Sequence, residues 1–390
     1  MRVFAILGFS IAAVSMTFAQ SSPRQAFPGA NPAMPFSAAV KADGLIYVSG
    51  TLGSAGDVKA QTKQVLDNIS ATLKTAGSSL ANAASVTVYL RNQNDFAGMN
   101  EVYRGYWTKD PPARTTVMVP LLNEGLVEIA VVAVPDGGER VVVNPSEWAG
   151  SPNPYSYAIK TGNTLFLSGL IARNGKDNTP MKGDMTAQTR AVLDNGAVVL
   201  KAAGFSYSDV VAARIYISDQ AAFADMNKVY QTYFPTDPPA RATVKALLTS
   251  PDYSVEITMV AVKATNRTAF TTPNADGTPG AKNPNLSAAI RAGNRVYVSG
   301  VLGSTADNKG DVKAQAGEAM ARIGRTLKAA GFDWKDVVDG VVYLPDLTKF
   351  NDMNASYRVM FVRDLPARAT VGAGLMGADA AVEIMFTAAK

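Results

Sequence analysis

The tripeptide Pro-Ala-Arg occurs three times in this chain, at residues 112–114, 239–241 and 366–368. Its arginines lie 127 residues apart in both intervals. Around each copy the same blocks recur in one order: an apolar run ending in Ser-Gly, a Phe-x-x-Met-Asn-x-x-Tyr block, the Pro-Ala-Arg, and a Val-Glu-Ile. Four ordered blocks at matched spacing are typical of an internal repeat. The sequence therefore predicts three copies of one folding unit.

Each copy of the unit is predicted to be an α+β domain. In the first copy the order is strand, helix, strand, helix, strand, strand, which predicts a mixed β-sheet with two helices on one face. The helix block has Phe, Met and Tyr at i, i+3 and i+7, so these side chains share a face and are interpreted as packing residues. The predicted elements are strand 45–49, helix 57–76 closed by Gly77, strand 85–90, a helix that begins at Asp95 as N-cap, and strands 114–121 and 126–134.

Composition excludes most common enzyme classes. The 390 residues include no His and no Cys, so a Ser-His-Asp triad, a thiol nucleophile, a thiolate metal site and a disulfide framework are all excluded. Neither a phosphate-binding loop nor a dinucleotide fingerprint occurs. The net charge of +5 is small for this length and no Lys/Arg run stands out, which argues against nucleic acid as a partner.

The chain divides into a leader and three repeats. Met1-Arg2, an apolar run and a small-residue pattern ending at Ala19 predict a secretory signal peptide over 1–19, and hence a secreted or periplasmic protein that is free of the membrane after cleavage. The repeats are assigned to residues 20–137, 138–266 and 267–390. Linkers are expected where Pro, Gly, Ser and Asn accumulate, at 135–154 and 264–284. The second repeat carries an insertion around Arg173 to Met185, a place where specificity could differ between copies.

The repeated arginine and glutamate are the candidate chemical groups. Burying a guanidinium costs several kcal/mol unless it is paired, and its planar fork suits a carboxylate of the protein or of a ligand. An Arg–Glu bridge between adjacent strands therefore competes with a ligand site. The candidates are Arg114, Arg241 and Arg368 with Glu128, Glu256 and Glu383.

In these ordered motifs the chain resembles the RidA/YjgF reactive-intermediate deaminase family, three times over and across nearly all of its length after the leader. The resemblance implies small α+β domains that assemble as trimers with a ligand cleft at each boundary. It also implies hydrolysis of amino-acid-derived enamines and imines to 2-keto acids and ammonium, with no metal and no cofactor. For a chain with three linked copies, it implies a pseudo-trimer within one molecule.

Residue roles follow from the same resemblance. The arginines would bind the substrate carboxylate, and the glutamates would hold and polarise the attacking water as general base or proton shuttle. Many relatives have Cys two residues after the arginine, where this chain has Thr. The other implied binding residues are Ser49, Gly50, Thr116, Asn227, Ser168, Gly169, Thr243, Ser299, Gly300 and Thr370. Each Asn of the helix block could equally cap or tether a neighbouring loop.

A tyrosine near the start of the family fold distinguishes the copies. It is present as Tyr155 in the second repeat, whereas Phe36 and Leu286 stand in its place in the first and third. If its hydroxyl orients substrate or water, the second copy is expected to be the most complete. A substantial fall in activity in Arg241→Ala would accordingly place much of the activity at the site of the second copy.

Two classes of function remain open from the sequence. The first is an exported hydrolase of carboxylate-bearing enamines or imines. The alternative is a non-catalytic binding module for small carboxylate metabolites. Nuclease activity, suggested for relatives, is disfavoured because the chain lacks His and a concentrated basic or aromatic surface.

Overall fold

The structure is a computed structural model that describes residues 24–361 and 363–390. The predicted signal peptide lies outside these residues. Among the described residues, no helix combines the length and apolar character that crossing a bilayer requires.

The first repeat shows how the sequence builds each unit. Its first helix begins where the Asp57 side chain accepts a hydrogen bond from the Ala60 backbone N–H at 2.9 Å, and it ends before Gly77, whose φ is +78°. Ile69 and Leu73 lie one helical turn apart and both are buried. The elements are β1 (Gln25–Phe27), β2 (Ala39–Ala42), β3 (Leu45–Leu52), α1 (Val58–Thr75), β4 (Ala83–Leu90), α2 (Phe96–Tyr106), β5 (Ala113–Met118) and β6 (Val127–Ala133).

The other two repeats have the same order of elements, with small additions. The second contains β7 (Val141–Val143), β8 (Ala158–Thr161), β9 (Thr164–Leu167), β10 (Leu170–Ile171), α3 (Met185–Ala202), β11 (Val210–Ile217), α4 (Phe223–Tyr233), β12 (Ala240–Lys245) and β13 (Val255–Val262). The third contains β14 (Thr268–Phe270), β15 (Ala289–Ala292), β16 (Arg295–Leu302), α5 (Val312–Ala329), β17 (Val337–Leu344), α6 (Phe350–Met360), β18 (Ala367–Gly372), β19 (Gly374–Leu375) and β20 (Glu383–Ala389). The predicted α+β class with three tandem domains is confirmed.

Sheet order places the candidate residues on separate strands. The first sheet runs β1-β2-β3-β6-β4-β5, with β4 and β5 parallel and the remaining neighbours antiparallel. The arginine strand β5 is therefore at the end of this order, and the glutamate strand β6 is central. Because β4 lies between them, an Arg–Glu bridge between adjacent strands of one repeat is excluded, and that alternative is wrong.

Sequence reasoning missed β2 (Ala39–Ala42), which precedes the first predicted strand, and it also missed three shorter strands. β7 and β14 lie inside the segments that were expected to be linkers, and β1 precedes the first predicted strand. Each has three residues and pairs antiparallel with the next strand of its repeat. Three residues are too few to show a period of two, so only the tertiary partner reveals such a strand.

The expected helix start at Asp95 also needs correction. Asp95 precedes α2, but its backbone is helical and its side chain makes no capping hydrogen bond. It is the last residue of a short 3₁₀ turn that leads into α2. The helix therefore continues from this turn and does not begin at a side-chain cap.

Both faces of the sheets are buried. One face of each sheet packs under its own two helices, and residues of all three repeats contribute to an apolar cluster between the sheets. Backbone hydrogen bonds also join the repeats. Met118 and Leu247 exchange hydrogen bonds of 2.8 and 3.1 Å, β12 pairs antiparallel with β19, and the Gly372 N–H donates to the Pro120 carbonyl at 2.8 Å. Each repeat therefore contacts both of the others.

Candidate functional site

Each candidate site combines an arginine of one repeat with a glutamate of another. Arg114 faces Glu256, Arg241 faces Glu383, and Arg368 faces Glu128, and each glutamate acts electrostatically on its arginine. The pairs follow a cyclic order in which each repeat supplies the arginine of one site and the glutamate of another. A complete site therefore needs two repeats in contact.

A buried serine hydroxyl fixes each arginine across the boundary. Ser168 Oγ accepts a hydrogen bond from the Arg114 backbone N–H at 2.8 Å and donates to the Ser156 carbonyl at 2.6 Å. Ser299 and Ser49 make the same contacts with Arg241 and Arg368. These hydroxyls are thus engaged with the protein backbone, which favours a positioning role over direct contact with a substrate.

The glycine after each serine makes room for the glutamate. A Cβ added to Gly50, Gly169 or Gly300 would overlap an Oε1 atom of Glu128, Glu256 or Glu383 respectively. The glutamate carboxyl therefore lies directly over the glycine backbone. Glycine is required here by close approach of the carboxyl, since a side chain would displace it.

The three guanidiniums are buried and incompletely paired. Arg114, Arg241 and Arg368 are 4, 3 and 1% exposed, and among the described residues none has a carboxylate within 4.0 Å. Buried nitrogens without a hydrogen-bond partner remain on all three. Burial is the largest influence on the pKa of each guanidinium and lowers it. An unpaired cation in this setting is a binding group for an anion.

The tyrosine of the helix block packs against the arginine in all three copies. The guanidinium carbon of Arg114 lies 4.8 Å from the Tyr103 ring centre, and the corresponding distances to Tyr230 and Tyr357 are 4.8 and 4.4 Å. These contacts stabilise the cation without neutralising it. The tyrosine is therefore both a packing residue, as predicted, and part of the arginine's environment.

The glutamates are held in their neutral form at neutral pH. Burial raises the pKa of Glu128, Glu256 and Glu383 to about 8, against an ordinary value of 4.5. The facing arginine and a threonine backbone N–H oppose this shift only partly; for Glu256 the donor is Thr116, at 3.3 Å from Oε1. Each site therefore combines a cation with a carboxyl that can donate a proton.

Tyr155 belongs to the site at the boundary of the first and second repeats. A cavity of about 30 Å³ is lined there by Arg114, Glu256, Tyr155, Thr116, Gly169, Phe96, Asn153, Ile171, Arg173 and Thr249. The Tyr155 ring centre lies 5.9 Å from the Arg114 guanidinium carbon. The expectation that Arg241 serves the Tyr155 site is wrong, because the arginine of this site comes from the preceding repeat.

The other two boundaries differ in their aromatic and amide groups. The Phe36 ring centre lies 5.4 Å from the Arg368 guanidinium carbon, in the position that Tyr155 takes beside Arg114. Asn354 Oδ1 accepts a hydrogen bond from the Arg368 guanidinium at 2.9 Å. The equivalent Asn227 has a buried Oδ1 with no partner among the described residues. The three sites thus share the Arg–Glu pair and differ around it.

Sequence reasoning missed four residues that line the first cavity, Asn153, Ile171, Arg173 and Thr249. Asn153 lines the cavity and accepts a hydrogen bond from Asn100 at 3.4 Å, although it lies in an expected linker. Arg173 also lines the cavity. Its only sequence signal was its place at the start of the insertion.

No group of three or more Asp or Glu side chains in the described part of the chain is arranged to hold a metal ion.

Comparison of the sequence with known families assigns all three repeats to the same family. The family described as "Endoribonuclease L-PSP" matches residues 28–135, 149–263 and 278–390. The chain belongs to this family. The RidA resemblance read from the motifs is thereby confirmed.

Two named relatives each match a stretch of this chain that is about one repeat long. A RutC family protein of Sulfurisphaera tokodaii is 47% identical over 110 residues, which cover 28% of this chain and 88% of the relative. The chloroplastic Reactive Intermediate Deaminase A of Arabidopsis thaliana is 34% identical over 123 residues, covering 32% of this chain and 66% of the relative. Both matches are about the length of one repeat.

A likeness to a solved structure also extends beyond a single repeat of this chain. A chorismatase crystal structure covers 79% of the chain and 93% of its own, with a TM-score of 0.51 and 18% identity. At this identity the likeness concerns the fold alone.

Replacement of Ser168 by Ala should destabilise the protein. The change leaves the Arg114 N–H and the Ser156 carbonyl without their buried partner, so we expect the free energy of unfolding to fall by about 1–3 kcal/mol. Urea unfolding measures this change. Ser79→Ala is the control, because Ser79 is exposed and its side chain makes no capping bond. Equal stability of Ser168→Ala and wild type would contradict the proposed positioning contact.

Glu256→Gln should change how stability depends on pH. The folded carboxyl keeps its proton up to about pH 8, whereas the unfolded one releases it near 4.5, so its contribution to stability falls as pH rises through this window. Gln has no proton to lose, so the variant's unfolding free energy should fall less steeply as pH rises. In the middle of this pH window the slopes of wild type and variant should differ by about 1.4 kcal/mol per pH unit. Denaturant unfolding at several pH values measures both slopes. Glu147→Gln, at an exposed position, is the control. Parallel slopes for wild type and Glu256→Gln would contradict a neutral buried carboxyl.

Proposed function

We propose that the chain hydrolyses enamines and imines that carry a carboxylate, releasing a 2-keto acid and ammonium. The observation that carries this proposal is the buried guanidinium with unpaired N–H groups in the same cavity as a neutral carboxyl. The first group can bind the carboxylate of a substrate, and the second can supply a proton to it. The name of the Arabidopsis relative, a reactive-intermediate deaminase, agrees with this chemistry.

The reaction begins with binding and proton donation. Arg114 would hold the substrate carboxylate through its unpaired N–H groups, with its guanidinium packed over the Tyr103 ring. The neutral Glu256 carboxyl gives its proton to the terminal carbon of an enamine or to the nitrogen of an imine. This step converts the substrate to an iminium ion, whose carbon is electrophilic, and leaves Glu256 as a carboxylate.

Water then completes the reaction with Glu256 as base. The water oxygen bonds to the iminium carbon, the C=N electron pair moves to nitrogen, and Glu256 takes a proton from the water. In the resulting carbinolamine, Glu256 gives this proton to nitrogen and takes the hydroxyl proton as the C–N bond breaks. The carboxyl ends in its starting form, and ammonia leaves to become ammonium. Positioning plus one carboxyl suffices, so the absence of His and Cys is no obstacle.

Ribonuclease activity, which the family description names, fits the site less well. Arg114 is buried at the boundary between two repeats, whereas a nucleic-acid backbone is bound by basic side chains on an accessible surface. The chain also has no histidine for acid–base catalysis on a phosphodiester. The unpaired cation is thus better matched to a small anionic molecule.

Arg114→Ala should reduce imine hydrolysis at the Tyr155 site. We expect kcat/KM for 2-aminoacrylate to fall at least tenfold when the change is made in a chain whose other two sites are already disabled by Arg241→Ala and Arg368→Ala. Ammonium and keto-acid release above the spontaneous rate measure the effect, with protein that starts at Gln20. Arg190→Ala, at an exposed arginine, is the control.

Two outcomes of that experiment would count against the proposal. If neither the wild type nor any variant accelerates hydrolysis, but keto acids still raise the melting temperature, the chain is a binding module. If the triple variant keeps full activity, the arginines are not the substrate-binding groups. Circular dichroism of each variant separates loss of the site from loss of the fold.

We further propose that the three repeats close into an intramolecular pseudo-trimer. The cyclic Arg–Glu pairing and the backbone hydrogen bonds at each boundary support this arrangement, as does the likeness of most of the chain to one chorismatase chain. A compact particle of this length should have a radius of gyration of about 21 Å in solution X-ray scattering. A clearly larger radius with separate domain peaks would contradict closure.

Export is proposed from the sequence alone. The apolar segment before Gln20 has the charge, length and small-residue pattern of a cleaved signal. Mass spectrometry of the protein recovered outside the cytoplasm of an expressing bacterium should give a chain that begins at Gln20. Accumulation of the uncut chain in the cytoplasm would contradict the proposal.

A further inference from the structure

The cavity at the boundary of the first and second repeats contains a second guanidinium. Arg173 lines it together with Arg114, Glu256 and Tyr155. Its Nε donates to the Asn178 carbonyl at 3.2 Å. Among the described residues it makes no other side-chain hydrogen bond and has no carboxylate within ion-pair distance. One cavity thus holds two cations, while its only carboxyl is neutral at pH 7.

Strand register shows that an arginine stands at this position in only one of the three repeats. Ile171 pairs with Glu256 as Leu52 pairs with Glu128 and Leu302 with Glu383. Two residues further on, Arg173 therefore corresponds to Ser54 and Ser304. The other two sites have a small neutral side chain at this position.

The insertion in the second repeat holds Arg173 in place. The Arg173 N–H donates to the Ile171 carbonyl at 2.8 Å, and its own carbonyl accepts from Asn195 at 2.7 Å. Asn178, which accepts from the guanidinium, is itself bonded through its side chain to the Gly150 carbonyl at 3.1 Å. The loop is thus tied both to helix α3 and to the segment that precedes β8. Its arginine is positioned before any ligand arrives.

We propose that this site takes imines with two carboxylates, such as 2-iminosuccinate, and that Arg173 binds the second carboxylate. The inference rests on the proposed imine hydrolysis and adds the substrate class for one of three sites. Arg114 is buried and lies on the same cavity as the proton-donating carboxyl, so it takes the carboxylate next to the reacting carbon. Arg173 is half-buried at the same cavity and meets the far end of the molecule. A substrate with one carboxylate leaves Arg173 unused.

Arg173→Ser tests the assignment, because it installs the residue found at the other two sites. We expect kcat/KM for 2-iminosuccinate to fall about tenfold or more, and kcat/KM for 2-iminopropanoate to stay within about twofold of wild type. Arg173→Lys should recover part of the loss, since it keeps the charge without the planar fork. Lys176→Ser is the matched control on the same loop, with an exposed side chain, and should change neither substrate. The imines are generated in the assay from aspartate and alanine by amino-acid oxidases.

Binding of 2-oxoglutarate and pyruvate by calorimetry separates this inference from the hydrolase proposal. If no imine is turned over but 2-oxoglutarate binds and Arg173→Ser weakens it about tenfold relative to pyruvate, the hydrolase proposal fails and the second-carboxylate site stands. If imines are hydrolysed but Arg173→Ser affects both substrates equally, or neither, the inference is overturned. Thermal unfolding of Arg173→Ser should match wild type, which keeps a folding defect apart from a change of specificity.

Discussion

An arginine buried at the boundary between two repeats, with no carboxylate to pair with, is the constraint on which the rest of this structure depends. Its backbone is fixed by a serine hydroxyl of the other repeat, and its guanidinium packs on the tyrosine ring of its own helix block. The carboxyl that faces it comes from the other repeat. None of these groups neutralises it. A folded chain keeps such a charge only where the surrounding contacts are strong or a ligand completes the site.

The same geometry links folding to chemistry. Glu256 lies over Gly169, on the repeat that also supplies Ser168, whereas Arg114 and the Thr116 N–H come from the preceding repeat. The carboxyl loses water only when the two repeats are in contact, and this loss of water raises its pKa to about 8. An isolated repeat would have neither the buried carboxyl nor the arginine that faces it. The raised pKa of this carboxyl is therefore a property of the boundary.

The sequence predicted the elements better than their partners. The motif order predicted three α+β units, and Asp57 and Gly77 marked both ends of the first helix, because capping and glycine turns are local effects. Which repeat supplies the glutamate to a given arginine depends on packing between units that lie more than a hundred residues apart in the chain. Local sequence patterns do not determine that packing. For this reason Tyr155 was assigned to the wrong arginine, and Arg173 was seen only as part of an insertion.

Joining the repeats in one chain allows the three boundaries to differ. In a trimer of identical chains every substitution appears three times, so a cation near the threefold axis meets two copies of itself. Here Arg295 occupies a position where the other repeats have Leu45 and Thr164. Arg295 forms an ion pair with Asp43 at 2.8 Å and donates a hydrogen bond to the Thr164 hydroxyl at 2.8 Å. These contacts join all three repeats. Threefold repetition of that arginine would place three like charges together without partners. Covalent linkage removes this restriction, and a site with an added Arg173 can then exist beside two sites that keep serine.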